Sequence, residues 1–243
     1  ISALHQPVFA PDAATVIEQL NVMITAGPTR EAINPVRFIS NHSSGVQGLS
    51  LAEVAAAAGA NVTLVAGPGV PNCSTSITRH DVVSAVDMHN AVHEQLHGID
   101  LFIGVAAVAD YRVAQAAEQK IKKTPSDDPH LDLRLVENPD IIASVVSSAH
   151  EVVVVGFAAE TQDTLNYARE KRQRKGLHAI VVNDVSDASI GFNSPNNAAT
   201  FICDSEEVFF ERQSKKQMAT QLLQQIAKTL GNELAIRKTT QRN

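Results

Sequence analysis

The fold is decided by one stretch near the start of the sequence: Asn21-Val-Met-Ile-Thr-Ala26, then Gly27-Pro-Thr-Arg-Glu31, and then Asn34-Pro-Val-Arg-Phe-Ile-Ser-Asn-His-Ser-Ser-Gly45. The first segment is apolar and predicts a buried strand. The polar residues after it predict a long loop, and the Ala-rich residues 47–58 predict a helix that ends before Gly59. Because polar and basic side chains here precede a helix N-terminus, we interpret the loop as a binding site for an anion.

The rest of the chain repeats this alternation of strand and helix. Continuous apolar runs predict further strands at residues 61–66, 100–107, 151–157 and 178–183. Helical patterns lie between them, at residues 83–97, 138–149 and 164–175. Continuous apolar runs are typical of parallel strands that are covered on both faces. The expected fold class is therefore α/β, with a Rossmann-like, doubly wound and mostly parallel sheet.

The pattern changes after residue 184. Two short apolar segments, 198–204 and 208–212, flank a polar turn, which predicts an antiparallel hairpin arm. Apolar residues then recur every four residues from Met218 to Leu230 and predict an amphipathic helix over residues 215–230. We expect three parts: a linker remnant from an upstream domain over residues 1–20, one domain over 21–232, and a flexible tail over 233–243.

Composition argues against several classes of function. The formal net charge of -6 disfavours a general nucleic-acid binder. No apolar run approaches the roughly 18 residues that a membrane helix needs. Cys73 and Cys203 fit no metal or redox motif, and such thiols are typical of the cytoplasm. We expect a cytoplasmic protein without nucleic-acid or membrane partners, in which local basic clusters attract an anionic ligand.

A nicotinamide or flavin enzyme is the obvious alternative for a Rossmann-like sheet. Its fingerprint is Gly-x-Gly-x-x-Gly after the first strand, with an acidic residue at the end of the second strand. Here the first turn is Ala26-Gly-Pro-Thr-Arg30, and the second strand ends in Val65-Ala-Gly-Pro68. Both features are missing, as is the Walker phosphate loop. The sequence therefore disfavours a dinucleotide oxidoreductase.

The opening loop allows a structural and a functional interpretation. Asn and Ser often cap helices and form turns, and Ser44 in front of Gly45 could cap the next helix. A cap explains one residue but does not explain Arg37, Asn41 and Ser43 together. The sequence leaves both interpretations open.

Other polar residues stand where predicted strands end and helices begin. Asp110 follows small residues at the end of the third strand, where it could hold a ribose, a base or Mg²⁺, or cap the next turn. Asn138 and Asp140 open a helix, so either could cap it or face a nucleotide. Lys171 and Lys175 share one helix face and could be dipole partners or ligands.

A run of lysines, Lys120-Ile-Lys-Lys123, precedes residues 124–130, which are rich in Pro, Ser and Asp. That composition predicts a mobile loop. The usual place of such a run is a solvated face. In a chain of net negative charge, three lysines beside a mobile loop also suit a phosphate clamp that closes on binding.

Taken together, these motifs resemble the bacterial phosphopantothenate–cysteine ligase family of coenzyme A biosynthesis. The resemblance covers about residues 21 to 230 and rests on ITAGPTRE (24–31), NPVRFISNHSSG (34–45), AAVADYR (106–112), KIKK (120–123), ENPDI (137–141), GFAAET (156–161), the Lys171/Lys175 pair and VNDVS (182–186). Several long motifs in the same order make it specific. It implies a CTP-dependent ligase that joins 4′-phosphopantothenate to L-cysteine through a phosphopantothenoyl-cytidylate, releasing pyrophosphate and CMP.

The resemblance also implies roles for individual residues. Asn41 corresponds to an asparagine that acts on the acyl-cytidylate, and Lys120 to a lysine that stabilises the first transfer at the phosphates. Arg37 would lie on the phosphopantothenate side, together with Ser43, Ser44 and Gly45. The implied CTP site comprises Gly104, Val105, Ala106, Asp110, Lys120, Asn138, Pro139, Asp140, Ile141, Phe157, Lys171 and Lys175.

The partners implied by the resemblance are CTP, 4′-phosphopantothenate and L-cysteine, with Mg²⁺ accompanying CTP on unknown ligands and no flavin or NAD in this domain. The family is dimeric, and the hairpin at residues 198–212 is a plausible interface. In bacteria the domain usually follows a flavin-dependent decarboxylase, which would explain a start without Met.

One segment departs from the family pattern. The family usually carries Ser-Ser-Gly-Lys-Met-Gly, whereas this chain has Ser43-Ser-Gly-Val-Gln-Gly48. The missing cation could weaken phosphate binding or alter dimer contacts. It also supports one alternative, a non-catalytic nucleotide-binding or dimerisation module; the other alternative is the nicotinamide-dependent oxidoreductase.

Overall fold

The computed structural model describes residues 15–18, 20–122, 130–148, 151–160, 162–184 and 194–240. The strands are β1 (Asn21–Ala26), β2 (Arg30–Asn34), β3 (Arg37–Ser40), β4 (Asn61–Ala66), β5 (Thr78–Asp81), β6 (Leu101–Gly104), β7 (Tyr111–Val113), β8 (Leu135–Glu137), β9 (Val153–Glu160), β10 (Ala179–Asp184), β11 (Asn196–Cys203) and β12 (Glu207–Ser214). The helices are α1 (Val46–Ala57), α2 (Ala85–Glu94), α3 (Ile141–Ser148), α4 (Thr164–Lys175) and α5 (Lys215–Thr240).

One eight-stranded sheet organises the molecule, in the order β12-β11-β10-β9-β6-β1-β4-β5. In this sheet the six neighbouring strands β10, β9, β6, β1, β4 and β5 are parallel, whereas β11 and β12 add to its edge in antiparallel pairing. From β1 the chain first builds outward through β4 and β5, and then crosses to the other side of β1 with β6. This reversal between β1 and β6 is the switch point of a doubly wound sheet. The expected fold class is confirmed.

Helices cover both faces of the sheet, which explains the continuous apolar strands. Successive strand residues point to opposite faces, so Ile24 packs on the side of α1 and α5, while Met23 packs on the side of α2, α3 and α4. Both side chains are fully buried. None of the described helices combines the length and the apolar character that a bilayer crossing requires.

Most predicted elements are confirmed, with shifts at their ends. The strands at 21–26 and 61–66 and the helix at 164–175 have the predicted bounds. The helix predicted from residue 83 begins instead at Ala85, because Ser84 caps it: the Ser84 hydroxyl accepts the Asp87 N–H, and the Asp87 carboxylate accepts the Ser84 N–H.

The prediction of one long loop between β1 and α1 is wrong, because β2 and β3 form an antiparallel hairpin within it. Asn34 makes the turn possible: its Oδ1 accepts the backbone N–H groups of Val36 at 2.9 Å and Arg37 at 3.0 Å. Such a side-chain turn is what Asn before Pro favours. The short strands β5, β7 and β8 were also missed.

Both ends of the predicted domain extend further than expected. At the start, Ile17 and Leu20 are buried in the core although they fall within the predicted linker. At the other end, α5 continues past Leu230 to Thr240. Leu234, inside the predicted tail, is 0% exposed, because it continues the four-residue apolar spacing of the helix. The start of the predicted tail is therefore ordered helix.

Candidate functional site

A cavity of about 910 Å³ opens at the carboxyl ends of β1, β6, β9 and β10. Its floor consists of strand-end residues, such as Gly27 after β1, Val105 after β6 and Asn183 in β10. This is the switch point of the sheet, where open α/β folds bind ligands. The volume is within the range of small-molecule sites.

Two walls rise from opposite faces of the sheet. The α3–α4 wall consists of Asn138, Pro139, Asp140, Ile141, Lys171 and Lys175. The α1–α5 wall consists of Ser43, Ser44, Gly45, Val46, Gln47, Gly48, Asn197 and Lys215. Asn41 and Asp110 also line the cavity.

The segment after β6 is held in place by two threonines of β1 and the turn that follows it. Thr25 Oγ1 accepts the backbone N–H groups of Val105 at 3.2 Å and Ala106 at 3.3 Å. Thr29 Oγ1 accepts the N–H of Ala109 at 3.0 Å. Since these N–H groups are engaged, Val105 and Ala106 can offer a ligand their carbonyl oxygens rather than their N–H groups.

The α3–α4 wall begins with two polar residues that have different roles. Asn138 Nδ2 donates to the Ala109 carbonyl at 2.8 Å and so joins this wall to the strand-end segment. Asp140 caps α3, because its Oδ1 accepts the Ala143 N–H at 3.0 Å. The sequence allowed either Asn138 or Asp140 to cap this helix, and the structure shows that Asp140 does so.

Asp140 is also paired with a lysine of the same wall, since Lys175 Nζ lies 2.6 Å from Asp140 Oδ2. Burial raises the pKa of Asp140, but the hydrogen bonds from Lys175 and the Ala143 N–H and the charges of Lys175 and Lys171 outweigh it. The net pKa of the Asp140 carboxyl therefore lies below its usual value.

Lys171 lies close to this pair, as its position four residues before Lys175 predicts. Burial lowers the pKa of Lys171, and the positive charge of Lys175 lowers it further. The carboxylates of Glu160, Asp110 and Asp140 partly oppose this effect. The α3–α4 wall thus mixes charges of both signs, and its lysines are balanced by carboxylates.

The N-terminus of α1 forms part of the opposite wall, and its N-cap is Gly45, which has no side chain; Ser43 Oγ accepts the Gly45 N–H at 3.2 Å. Ser44 is therefore not the N-cap residue. Gly45 stands at the N-cap with a φ of 68°, a left-handed conformation that favours glycine. The first-turn N–H groups of a helix attract anions when they lack partners. The α1–α5 wall therefore has the character that the anion-site interpretation requires.

Gly48 brings the first turn of α1 directly against the end of β1. A Cβ atom at this position would lie 2.6 Å from the Ala26 Cβ and 3.1 Å from the Thr25 carbonyl oxygen. Only glycine allows this approach, so the helix N-terminus sits at the cavity floor.

Asn41 connects the two sides of the site. Its chain segment leads into α1, while its Nδ2 donates to the Val108 carbonyl, 3.0 Å away, in the segment after β6. An amide nitrogen carries two hydrogens, so this bond leaves one N–H to meet a ligand. The side chain is exposed to the cavity that it lines.

Three of the predicted site residues do not line the cavity. Gly104 is buried, and a Cβ there would lie 2.7 Å from Ile142 Cδ1, so this glycine allows α3 to pack against β6. Arg37 and Lys120 are exposed outside the cavity, and Arg37 Nη1 donates to the Ile121 carbonyl at 3.2 Å. Most of the predicted mobile loop, residues 123–129, lies outside the described residues.

The sequence missed a buried polar group in the α1–α5 wall. Asn197 Nδ2 donates to Gln47 Oε1 at 3.2 Å, and Gln47 Nε2 donates to the Lys215 carbonyl at 3.4 Å. Burial lowers the pKa of the Lys215 ammonium. These residues come from α1, β11 and α5. Of the three, only Gln47 was noticed in the sequence, because it lies in the segment that departs from the family pattern.

Comparison with known proteins identifies the family of the chain. The family described as the DNA/pantothenate metabolism flavoprotein C-terminal domain matches residues 17–230. The chain belongs to this family. The match confirms the family expected from the motifs, and its start at residue 17 agrees with the burial of Ile17.

Relatives of similar sequence carry the name coenzyme A biosynthesis bifunctional protein CoaBC. The protein of Escherichia coli strain K12 is 46% identical over 211 residues, which cover 86% of this chain and 52% of that protein. The protein of Bacillus subtilis strain 168 is 39% identical over 229 residues, which cover 93% and 56%. The chain therefore spans about half the length of the curated relatives it matches.

Solved structures with the same fold include a domain of the same family. The C-terminal domain of a CoaBC protein has a TM-score of 0.75 and 34% identity, covering 89% of this chain and 98% of that one. A Cab2 mutant in complex with phosphopantothenate-cysteine has a TM-score of 0.72 at 18% identity, covering 96% and 98%, and shows likeness of fold alone.

Proposed function

We propose that the chain is a CTP-dependent phosphopantothenate–cysteine ligase of coenzyme A biosynthesis. It would activate the carboxylate of 4′-phosphopantothenate as an acyl-cytidylate, with release of pyrophosphate, and then transfer the acyl group to the amine of L-cysteine, with release of CMP. The observation that carries this proposal is the convergence of the predicted residues: all of them except Gly104, Arg37 and Lys120 line one cavity at the switch point. The family and the names of the relatives support the same pathway.

The two walls suggest how CTP would lie. A nucleoside is uncharged, and it fits the α3–α4 wall, where Lys175 is already neutralised by Asp140. The carbonyl oxygens of Val105 and Ala106 would accept hydrogen bonds from the cytosine amine or the ribose hydroxyls. A triphosphate is strongly anionic, and it fits the uncapped N-terminus of α1.

Asn41 has the geometry to act on the acyl group. The second step, acyl transfer to cysteine, gathers negative charge on the acyl oxygen, so a fixed donor at that oxygen stabilises the transition state. The Val108 carbonyl fixes the Asn41 amide, and the second N–H of that amide can donate to the acyl-cytidylate. In the second step the cysteine amine forms the new bond to the acyl carbon, and the bond to the CMP phosphate oxygen breaks.

Mg²⁺ is compatible with the residues of this cavity. Within the described ranges, no group of three or more His, Cys, Asp or Glu side chains could hold a metal. Mg²⁺ in nucleotide sites is usually held by one or two carboxylates together with substrate phosphates. Asp110 offers an exposed carboxylate in the cavity and would hold the ion together with CTP. Bound there, Mg²⁺ would neutralise part of the phosphate charge.

We also propose for Lys120 and Arg37 the roles that the resemblance implies. Both belong to one surface region next to the cavity, joined by the Arg37–Ile121 hydrogen bond. Neither lines the cavity, so a contact would require either a substrate that extends beyond the cavity or a different position of this region.

We propose a homodimer as the active form and, in the full-length protein, a flavin-dependent decarboxylase in front of this domain. Phe209 on the edge strand β12 is exposed, as the predicted interface at 198–212 requires. Val36 and Phe38 on β3 and its turn, with Tyr111 on β7, give a second exposed apolar surface. Light scattering should give twice the mass of the 26.0 kDa chain, and a monomer would contradict the dimer.

The ligase proposal is tested by incubating the purified protein with CTP, 4′-phosphopantothenate and L-cysteine while pyrophosphate and CMP are followed. Release of CMP should depend on cysteine, whereas pyrophosphate should appear in a single turnover without it. Absence of cysteine-dependent CMP would overturn the proposal. CTP binding without turnover would favour the non-catalytic module, and oxidation of a substrate with NAD would favour the oxidoreductase.

The oxidoreductase has little support in the structure. Gly67 stands where the fingerprint needs a ribose-binding carboxylate, and its Cβ position lies 1.9 Å from the Pro28 carbonyl oxygen. No acidic side chain fits there, because the backbone after β1 occupies the space.

A further inference from the structure

One peptide group lies between Asn41 and the buried Thr29. Its carbonyl, that of Val108, accepts the Asn41 amide at 3.0 Å, and its N–H, that of Ala109, donates to Thr29 Oγ1 at 3.0 Å. A peptide group is planar and trans, so its carbonyl and its N–H point in opposite directions and turn together. The Thr29 hydroxyl therefore sets the direction in which the Val108 carbonyl faces Asn41.

Thr29 also holds the chain next to Asn41. Its backbone carbonyl accepts the hydroxyl of Ser40 at 2.7 Å, and Ser40 directly precedes Asn41. The Asn41 side chain is thus fixed at its amide by Val108, while its backbone is fixed one residue away by Ser40. Both fixed points lead back to Thr29, so the three hydrogen bonds close a ring that contains Asn41.

Thr29 is a suitable anchor for this ring because of its surroundings. It is 0% exposed, whereas Asn41 is exposed. Its neighbour Pro28 pairs with Ala107, whose N–H donates to the Gly27 carbonyl at 2.9 Å, so the turn after β1 is bonded directly to the segment after β6. Local opening is least favourable where backbone is buried and hydrogen-bonded. An exposed side chain that is tied twice to such an anchor keeps one orientation.

We propose that Thr29 and Ser40 are positioning residues for the second step, in which the acyl group passes to cysteine. This inference rests on the proposed function and deepens it by naming what aims Asn41. In that step the cysteine nitrogen forms a bond to the acyl carbon, the electron pair of the broken bond remains on the CMP phosphate oxygen, and the amine proton passes to water. The free Asn41 N–H must point at the acyl oxygen while negative charge develops there. The ring fixes that direction before the substrate binds.

Thr25 provides a matched comparison within the same part of the fold. It is also buried, at 3% exposed, and its Oγ1 accepts the N–H groups of Val105 and Ala106 in the segment after β6. The Asn41 amide is bonded to a different peptide group, the one that Thr29 holds. Loss of either hydroxyl leaves buried N–H groups without that acceptor, but only the loss at Thr29 releases the peptide group that aims Asn41.

The test follows one turnover in two stages by quench-flow. Enzyme, CTP and 4′-phosphopantothenate first form the acyl-cytidylate, and the amplitude of pyrophosphate release reports the fraction of folded enzyme. Cysteine is then added, and the rate constant of CMP release reports the second step alone. For Thr29→Val, we expect CMP release to slow by about 10–10²-fold, as a misplaced catalytic group does, while the rate constant of pyrophosphate release stays close to that of the wild type. Thr29→Ser keeps the hydroxyl and should restore the rate of CMP release.

Thr25→Val is the matched control. It should lower the folded fraction as Thr29→Val does, but the rate constant of its second step should remain that of the wild type. Equal rate constants of CMP release in the two variants would overturn the inference while leaving the ligase proposal intact. Wild-type protein that releases no cysteine-dependent CMP would overturn both.

If Thr29→Val does not fold, Ser40→Ala decides the question, because Ser40 is only partly buried and its loss threatens the core less. The variant lacks the second hydrogen bond of the ring, so CMP release should slow by about tenfold and pyrophosphate release should not change. Ser40→Thr, which keeps a hydroxyl, should restore the rate. CMP release at the wild-type rate in Ser40→Ala would overturn the inference.

Discussion

The two walls of the cavity differ in how their charges are balanced. In the α3–α4 wall, Lys175 and Asp140 form an ion pair, and Asp140 also caps α3. In the α1–α5 wall, the N-cap of α1 is a glycine, which has no side chain to cap the helix. Because of this difference we propose that the nucleoside binds at the first wall and the phosphates at the second.

The largest effect is expected at Asn41, which joins the two walls. Asn41→Asp should still release pyrophosphate in a single turnover, but the release of CMP should slow by about 10²–10³-fold, because a carboxylate cannot donate to the acyl oxygen. Quench-flow measurement of both products separates the two steps. Equal slowing of pyrophosphate and CMP would show that the role given to Asn41 is wrong. Asn90→Asp, the same change on an exposed residue of α2, should have no effect.

Gly48→Ala should separate α1 from the sheet and disturb the phosphate wall. The added methyl group would lie 2.6 Å from the Ala26 Cβ, and overpacking of this kind costs about 1–3 kcal/mol. Urea denaturation measures the change in the free energy of unfolding. The control is Gly231→Ala in α5, whose methyl group would lie at an ordinary 3.6 Å from Val16 and should be neutral or stabilising. Equal stability of the two variants would contradict the packing argument.

Lys175→Met tests the nucleoside wall. It removes the partner of Asp140, and we expect CTP and CMP to lose affinity by the same factor, about tenfold. Calorimetry with both nucleotides provides the measurement. The comparison of the two walls fails if this variant weakens CTP binding but leaves CMP binding unchanged, which is the pattern expected of a residue that contacts only the terminal phosphates. Arg174→Met, an exposed neighbour on α4, serves as the control.

The smallest effect concerns pH. Because the folded pKa of Asp140 is lowered, its ion pair stabilises the protein above the unfolded pKa of the carboxyl and loses this effect as pH falls through the folded value. Wild type should exceed Asp140→Asn in the free energy of unfolding by less than about 1 kcal/mol at neutral pH, since the pair is partly exposed. The difference should shrink in acid, and a difference that does not change with pH would refute the assignment.

The α3–α4 wall was predictable because its residues stand in short motifs at the ends of strands and helices. Asn138, Asp140, Lys171 and Lys175 could all be named from the sequence, and the sheet brings them together as the strand order requires. The fold was predictable for the same reason, since continuous apolar runs mark buried parallel strands.

The α1–α5 wall was only half predictable. Gln47 is separated by 150 residues from Asn197 and by 168 residues from Lys215, and no local pattern marks the three residues. The β2–β3 hairpin was missed because its turn depends on one side chain, Asn34. Arg37 and Lys120 were named as anion-binding residues from their motifs and from the resemblance, yet neither lines the cavity, because a motif does not specify where its side chains lie in the fold.

The most direct test of the central claim is a crystal structure of the wild-type protein with CTP. The account predicts cytidine against the α3–α4 wall, near Lys171 and Lys175, and the terminal phosphates at the first-turn N–H groups of α1. A nucleotide bound in the reverse orientation, or outside this cavity, would contradict the account.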